Sequence, residues 1–337
     1  ASMLTAQIAA IETADIVTLN LAALSGTQVG IISDSQVAAL SATQIATITT
    51  ATVSSLITSS FYAFSTAQIV ALTTGQVSKL TTSQLTILEN SQVAKFSAAQ
   101  IATIGTANIA AGLTTDQVSS LATAAVAGLT TGQVAALKTA QVASLTTAGL
   151  ASLGTSQFAS IATGGIASLT DDQSSKLLAA QVAALGTASL SSLMTSSLAL
   201  LTTAASPALS TAQVVALTTA QVQSLTTGQL VAMGTVQVNS IETRDLIGLT
   251  TDQIVAMTTA QYAALSTAQI SSLITSQVSS IDTADVASLS TAQIKSLTTA
   301  DLVQLGTSQI VALTTAQAAT LSTAQVVSIT STQISSV

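Results

Sequence analysis

Two consecutive eight-residue units decide the fold: residues 210–217 read STAQVVAL and residues 218–225 read TTAQVQSL. The pattern continues from Leu4 to Val337, and we number each unit 1 to 8 so that its last residue is large and apolar. A short repeat that fills a chain is typical of solenoids, in which each unit packs against its neighbours. We therefore predict a single repeat array over residues 1–337.

The register of the array changes twice, at a truncated unit covering residues 20–24 and at a nine-residue unit covering residues 105–113. No linker or change in composition divides the chain. Because the pattern begins and ends without the polar capping unit that solenoids normally carry, we expect a piece of a longer array.

Two columns of the repeat are predicted to form the core. Position 8 is apolar throughout and is mostly Leu, and position 5 is mostly Val or Ile. The predicted core residues of the two quoted units are Val214, Leu217, Val222 and Leu225. Position 5 lacks a large apolar residue at Ser174, Ser206 and Ala318.

The start of each unit has the chemistry of a helix N-terminus. Position 1 is most often Ser, Thr or Gly, which are favoured at an N-cap, and the Gln at position 4 completes a capping box. The preceding Leu and the Val at position 5 are placed as the two partners of a hydrophobic staple. The predicted capping residues of the quoted units are Ser210, Gln213, Thr218 and Gln221.

Charge placement also favours a helix. All 13 acidic residues lie at positions 1 to 4, and four of the six basic residues lie at positions 6 or 7. This segregation matches a helix dipole, whereas a strand has almost no net dipole. Eight residues at about 3.6 per turn cannot keep one apolar face in a continuous helix, so the chain must bend at every unit.

We therefore predict an all-α superhelical solenoid with one helix of about two turns per unit, and a local bulge at Pro207. A β-solenoid remains the alternative, because Thr, Val and Ile also favour strands. Gly75, Gly132 and Gly228 at position 3 argue against a strand there.

One local motif resembles that of a known family. Residues 217–221 read LTTAQ, which is similar to the LTxxQ motif of small helical periplasmic proteins related to Spy and CpxP, and this resemblance implies a helix start. Those proteins do not repeat the motif every eight residues. In composition, the whole chain resembles the Ser/Thr/Ala-rich repeat regions of large secreted bacterial surface proteins.

Composition narrows the function. The chain has no His, no Cys and a net charge of -7, so we predict no catalytic, cofactor or metal site and no nucleic-acid partner. Polar residues interrupt every unit, so no membrane span is expected. Two acidic clusters, Asp171-Asp172 and Glu242-Thr243-Arg244-Asp245, could hold a cation or transfer protons, but we interpret them as first-turn helix acids with a surface ion pair.

These observations predict a structural segment of an extracellular or cell-surface bacterial protein that acts as a spacer or stalk, or that self-associates into a fibre or layer. The alternative is an adhesin-like solenoid that binds a peptide or polysaccharide, with residues 171–205 as the candidate segment. A third hypothesis is binding to ice or a mineral surface through the Thr column at position 2.

Overall fold

The computed structural model describes residues 3–334, and every regular element in that range is a short helix. The fold is an all-α solenoid with one helix per unit, as predicted, and the described range has no strand, so the β-solenoid alternative is wrong. The chain divides into two compact units, Ala1–Gln173 and Ser174–Val337.

The α-helices up to the boundary between the compact units are α1 (Thr5–Ala9), α2 (Gly26–Val29), α3 (Asp34–Ala39), α4 (Ala42–Thr47), α5 (Thr58–Tyr62), α6 (Thr66–Ala71), α7 (Thr74–Val77), α8 (Thr82–Thr86), α9 (Asn90–Val93), α10 (Ala98–Thr103), α11 (Thr106–Gly112), α12 (Thr115–Ser120), α13 (Thr123–Ala127), α14 (Thr131–Ala136), α15 (Thr139–Ser144), α16 (Thr147–Ser152), α17 (Thr155–Ala159), α18 (Thr163–Ala167) and α19 (Asp171–Ser175).

The later α-helices are α20 (Ala179–Ala184), α21 (Thr187–Ser191), α22 (Thr195–Ala199), α23 (Thr211–Val215), α24 (Thr219–Ser224), α25 (Thr227–Ala232), α26 (Thr235–Asn239), α27 (Thr243–Leu246), α28 (Thr251–Ala256), α29 (Thr259–Ala264), α30 (Thr267–Ser272), α31 (Thr275–Ser279), α32 (Thr283–Ser288), α33 (Thr291–Ser296), α34 (Thr299–Gln304), α35 (Thr307–Val311), α36 (Thr315–Ala318), α37 (Thr323–Ser328) and α38 (Ser331–Ile334). Four further units form 3-10 helices at Ile16–Thr18, Leu21–Ala23, Val53–Ser55 and Thr203–Ala208.

The helices are shorter than the predicted two turns. In the unit of α24, the N-cap Thr218 is extended, with φ −78° and ψ 157°, and so is Leu225 after the helix, with φ −58° and ψ 133°. Two of the eight residues are therefore spent on the bend, and the six that remain make about 1.7 turns.

Pro207 changes the helix type. The sequence predicted a bulge at this residue, but Thr203–Ala208 is instead a continuous 3-10 helix with Pro207 inside it. A proline has no N-H to donate and its ring fixes φ near the helical value, so the tighter 3-10 turn accommodates it.

Within each compact unit, each helix packs on the third helix along the chain. Examples are α10 with α13 in the first compact unit, and α24 with α27 and α34 with α37 in the second. Inside each of them, this spacing defines a superhelix with more than one repeat unit per turn.

Positions 5 and 8 form the core of each compact unit. Every position-5 residue from Val29 to Ile310 and every position-8 residue from Ile32 to Leu305 is buried. Burial of one Val or Leu side chain contributes about 1.5–3 kcal/mol, so the core energy rises with the number of units.

The two register changes leave the pairing of units intact. In a regular region, the Gln76 side chain reaches the carbonyls of Ile45 and Ile48, at sequence separations of 31 and 28 residues. Across the truncated unit the separations from Gln36 fall to 28 and 25, and across the nine-residue unit the separations from Gln117 rise to 32 and 29. In all three cases, the Gln contacts the repeat unit four earlier in the chain.

Ser174 is the one buried polar side chain of the described range that has an oxygen atom without a hydrogen-bond partner. It occupies position 5, where Val is usual, and it is 0% exposed. A buried hydroxyl without a partner is destabilising, and a Ser side chain fills less of the core than Val does.

We expect Ser174→Val to raise the free energy of unfolding by about 1–3 kcal/mol, because it removes the unpaired hydroxyl and fills the core column. Urea unfolding monitored by circular dichroism measures this change. The matched control is Ser276→Val at an exposed position 3, which should be neutral or slightly destabilising. Equal effects of the two substitutions would contradict the assignment.

Candidate functional site

The predicted capping residues form reciprocal hydrogen bonds. The backbone N-H of Gln213 donates to Ser210 Oγ at 3.2 Å, and the N-H of Ser210 donates to Gln213 Oε1 at 2.8 Å. Thr218 and Gln221 repeat this geometry at 3.2 and 3.0 Å. Each pair satisfies two donors at the start of its helix that the helix itself leaves without partners.

The amide nitrogen of the same Gln makes a second set of bonds that sequence reasoning missed. Gln221 Nε2 donates to the carbonyls of Leu190 and Leu193 at 3.1 and 2.8 Å, and Gln213 Nε2 donates to those of Val182 and Leu185 at 3.2 and 2.9 Å. The acceptors are positions 5 and 8 of the unit four earlier. One buried side chain therefore caps its own helix and satisfies carbonyls at the end of another.

We call this repeated arrangement the glutamine ladder, meaning the Gln residues at position 4 with their N-cap and carbonyl partners. Gln213 and Gln221 are 3% and 2% exposed, so their hydrogen bonds are shielded from water. A polar group that is buried without hydrogen-bond partners destabilises the fold by about 1–3 kcal/mol. Each ladder Gln has partners for both the oxygen and the nitrogen of its amide.

The predicted core residues lie beside the ladder. Val214, Leu217 and Val222 are each 1% exposed and Leu225 is 5% exposed. Val222 follows Gln221 directly, so the apolar contact and the amide hydrogen bonds belong to the same helical turn.

The Gln side chain keeps its half of the capping box in units whose N-cap residue has no hydroxyl. At Lys138 and Ile274, which have no hydroxyl, the backbone N-H still donates to Gln141 or Gln277 at 2.9 and 3.0 Å. The ladder therefore tolerates variation at position 1.

Gln221→Glu should lower the free energy of unfolding by about 1–3 kcal/mol at neutral pH, because an acceptor then faces the carbonyls of Leu190 and Leu193 in place of a donor. Gln223→Glu, an exposed substitution of the same type in the same helix, is the matched control and should have little effect. Chemical unfolding of both variants measures the difference. Similar losses for the two would show that charge alone, and not the ladder, is responsible.

The predicted cluster Glu242-Thr243-Arg244-Asp245 is a surface ion pair beside one buried carboxylate. Arg244 is ion-paired with Glu242, and its Nε lies 3.7 Å from Asp245 Oδ2. The Arg244 side chain is 70% exposed, so the pair adds little stability. Asp245 is buried at position 4 and accepts a hydrogen bond from Thr219 Oγ1.

The second cluster, Asp171 and Asp172, lies in the first turn of α19, where carboxylates interact favourably with the helix dipole. Across residues 3–334, no group of three or more acidic, His or Cys side chains is arranged to hold a metal ion. No helix in the same range is long and apolar enough to cross a membrane.

Burial affects the titration of Asp285 and Tyr262. Burial raises the pKa of the Asp285 carboxyl, the Asp282 charge adds to this, and a hydrogen bond from Thr259 opposes it. Burial also raises the pKa of the Tyr262 phenol, with further contributions from Asp285 and Asp282. A carboxylate and a phenol therefore share one buried region.

Comparison with known proteins identifies the repeat. No curated protein matches this chain in sequence. Residues 119–147, 207–235, 238–275 and 278–315 match the ALTTAQ repeat family. The quoted units at 210–225 lie inside the second match, so their capping and core residues are part of a region similar to the ALTTAQ repeat.

Proposed function

We propose that the array is a structural spacer or stalk of an extracellular or cell-surface bacterial protein, and that copies associate side by side into a fibre or layer. The glutamine ladder is the observation that carries this proposal. Its acceptors are main-chain carbonyls, which every unit offers whatever its side chains, so units can be added without new contacts being designed.

The exterior supports lateral association. Exposed position-6 side chains include Val215, Val231, Val255, Val303 and Val311, which are 40–50% exposed. Only 6% of the residues are charged, so repulsion between copies is weak. The compositional resemblance to repeat regions of secreted bacterial surface proteins supports the location.

An enzymatic activity is not part of the proposal. The chain has neither His nor Cys, and its densest charge cluster is the exposed ion pair of Arg244 with Glu242. A net charge of -7 also disfavours a nucleic-acid partner.

If the array is a spacer, its length should increase as repeat units are added. Insertion of a second copy of residues 210–241, which are four complete units, should increase the maximum dimension in small-angle X-ray scattering and keep cooperative thermal unfolding. The inserted Gln residues find carbonyls four units earlier, as the originals do. A Gly-Ser insertion of equal length is the control. If both insertions broaden the unfolding transition equally, the array is not extendable in this way.

Lateral association predicts a sedimentation coefficient that rises with protein concentration at physiological salt. Replacing the exposed Ala212, Ala220 and Ala260 by Glu changes the net charge from -7 to -10, so it adds repulsion outside the core and should keep the chain monomeric. Analytical ultracentrifugation compares the two proteins. A wild-type chain that stays monomeric at high concentration would contradict the association but leave the spacer role intact.

A binding module for a peptide or polysaccharide is the second candidate. Within residues 171–205, three large apolar side chains are exposed where the repeat usually has small or polar residues, namely Leu178, Met194 and Leu200. Exposed apolar groups of this kind can contact a ligand. Selective binding in a glycan or peptide screen, lost on replacing all three by Ser, would favour this function over a spacer.

A further inference from the structure

The ladder connection made by the unit of α32 differs from the others, because its position 4 is Asp and a buried Tyr lies on α29. Position 4 of the unit of α32 is Asp285, which is 5% exposed, and position 5 of the unit of α29 is Tyr262, which is 0% exposed. The two helices pack against each other. The other Tyr of the chain, Tyr62, is 60% exposed.

The neighbouring ladder residues show what Asp285 lacks. Gln277 Nε2 donates to Leu246 and Leu249, and Gln293 Nε2 donates to Tyr262 and Leu265, always at separations of 31 and 28 residues. The same spacing from Asp285 leads to the carbonyls of Ile254 and Met257. An ionised carboxylate has no hydrogen to donate to either of them.

Tyr262 supplies one of the two missing bonds. Its hydroxyl donates to the carbonyl of Ile254 at 2.6 Å. Among the hydrogen bonds of residues 3–334, none reaches the carbonyl of Met257, the second acceptor that a Gln at position 285 would satisfy. The phenol therefore restores half of the ladder connection, and one acceptor is left for a second donor.

No Lys or Arg is among the groups that shift the pKa of Asp285, although the next helix, α33, carries Lys295. The titratable groups around it are Asp282 at the N-cap of its own helix and Tyr262 on α29. The adjacent α35 has no titratable residue, and α28, which carries the Ile254 carbonyl, contains only Asp252. Among the groups that shift its pKa, only Thr259 favours the ionised carboxyl, and burial and the Asp282 charge oppose it.

We infer that Tyr262 and Asp285 form an acid-strengthened joint in the array, at which α32 is held more firmly to the units of α28 and α29 when the carboxyl takes up a proton. Protonation removes the buried charge and gives position 4 a hydrogen-bond donor, which is what the Gln amide provides elsewhere.

The direction of the pH effect follows from the raised pKa of Asp285. Because the folded carboxyl holds its proton more tightly than the unfolded one, this group favours folding most at acidic pH. The contribution is lost as the pH rises from the ordinary value of 3.8 through the raised value in the folded protein. The ladder Gln residues do not titrate, so they make no pH-dependent contribution to the stability of their units.

Hydrogen exchange of the whole chain tests the joint, with amide protection corrected for the intrinsic effect of pH. In the wild type, peptides covering Thr259–Ala264 and Thr283–Ser288 should gain several-fold protection between about pH 7 and about pH 4.5, relative to the ladder-connected Thr219–Ser224. Asp285→Asn should abolish this gain, because the amide is neutral at both values. Asp252→Asn, an exposed acid in α28, is the matched control and should keep it.

Two further measurements guard against variants that fold poorly. The carboxyl carbon of Asp285 in the wild type should titrate above its ordinary range by NMR. The double variant Tyr262→Val with Asp285→Gln restores the consensus ladder, and it should be more protected at neutral pH than Asp285→Gln alone, in which Tyr262 fills the space that Gln needs. A pH-dependent gain that survives Asp285→Asn, or an Asp285 carboxyl that titrates in its ordinary range, would overturn the inference.

Discussion

In most repeat units, one buried Gln amide makes the hydrogen bonds that hold that unit to an earlier one. Each ladder Gln accepts from the N-H that precedes its own helix and donates to two carbonyls about one superhelical turn earlier, as Gln221 does with Thr218, Leu190 and Leu193. Helices of about six residues are unstable alone because too few of their backbone groups are paired. The ladder pairs the groups that such helices leave free at both ends.

Where the Gln is missing, the structure uses other means. Asn108 Nδ2 still reaches the carbonyl of Leu80 at 3.0 Å. At Gly149 and Gly165 an earlier unit packs closely, since an added Cβ would lie 3.2 Å from Val126 Cγ2 or 3.1 Å from Val142 Cγ2. Tighter packing therefore replaces the amide at these units, and Tyr262 replaces it at Asp285.

The uniform ladder and the uneven surface have different consequences for function. Main-chain acceptors make the interior independent of the identity of each unit, which suits a spacer that grows by duplication. The exposed positions are free to vary, and the departures there, such as Leu178 and Met194, are where any specific recognition would be located. The interior thus supports the structural proposal, and the exterior distinguishes it from the binding alternative.

The sequence by itself determined the all-α class, the start of each helix and the two core columns. These depend on interactions within a few residues: Ser210 and Gln213 are three apart, and Val214 and Leu217 recur with the octad. Acidic residues gathered near the helix starts for the same local reason, the helix dipole.

Only the tertiary structure decided the helix length, the 3-10 form at Pro207 and the carbonyl partners of each Gln. The partners lie 28 and 31 residues away, and that distance depends on how far the chain turns at each extended Leu and on how the side chains pack. The joint of Tyr262 with Asp285 was hidden for the same reason. Tyr262 and Asp285 are 23 residues apart, and the eight-residue pattern alone does not show that units at this spacing pack on each other. They become neighbours only when α29 and α32 pack together.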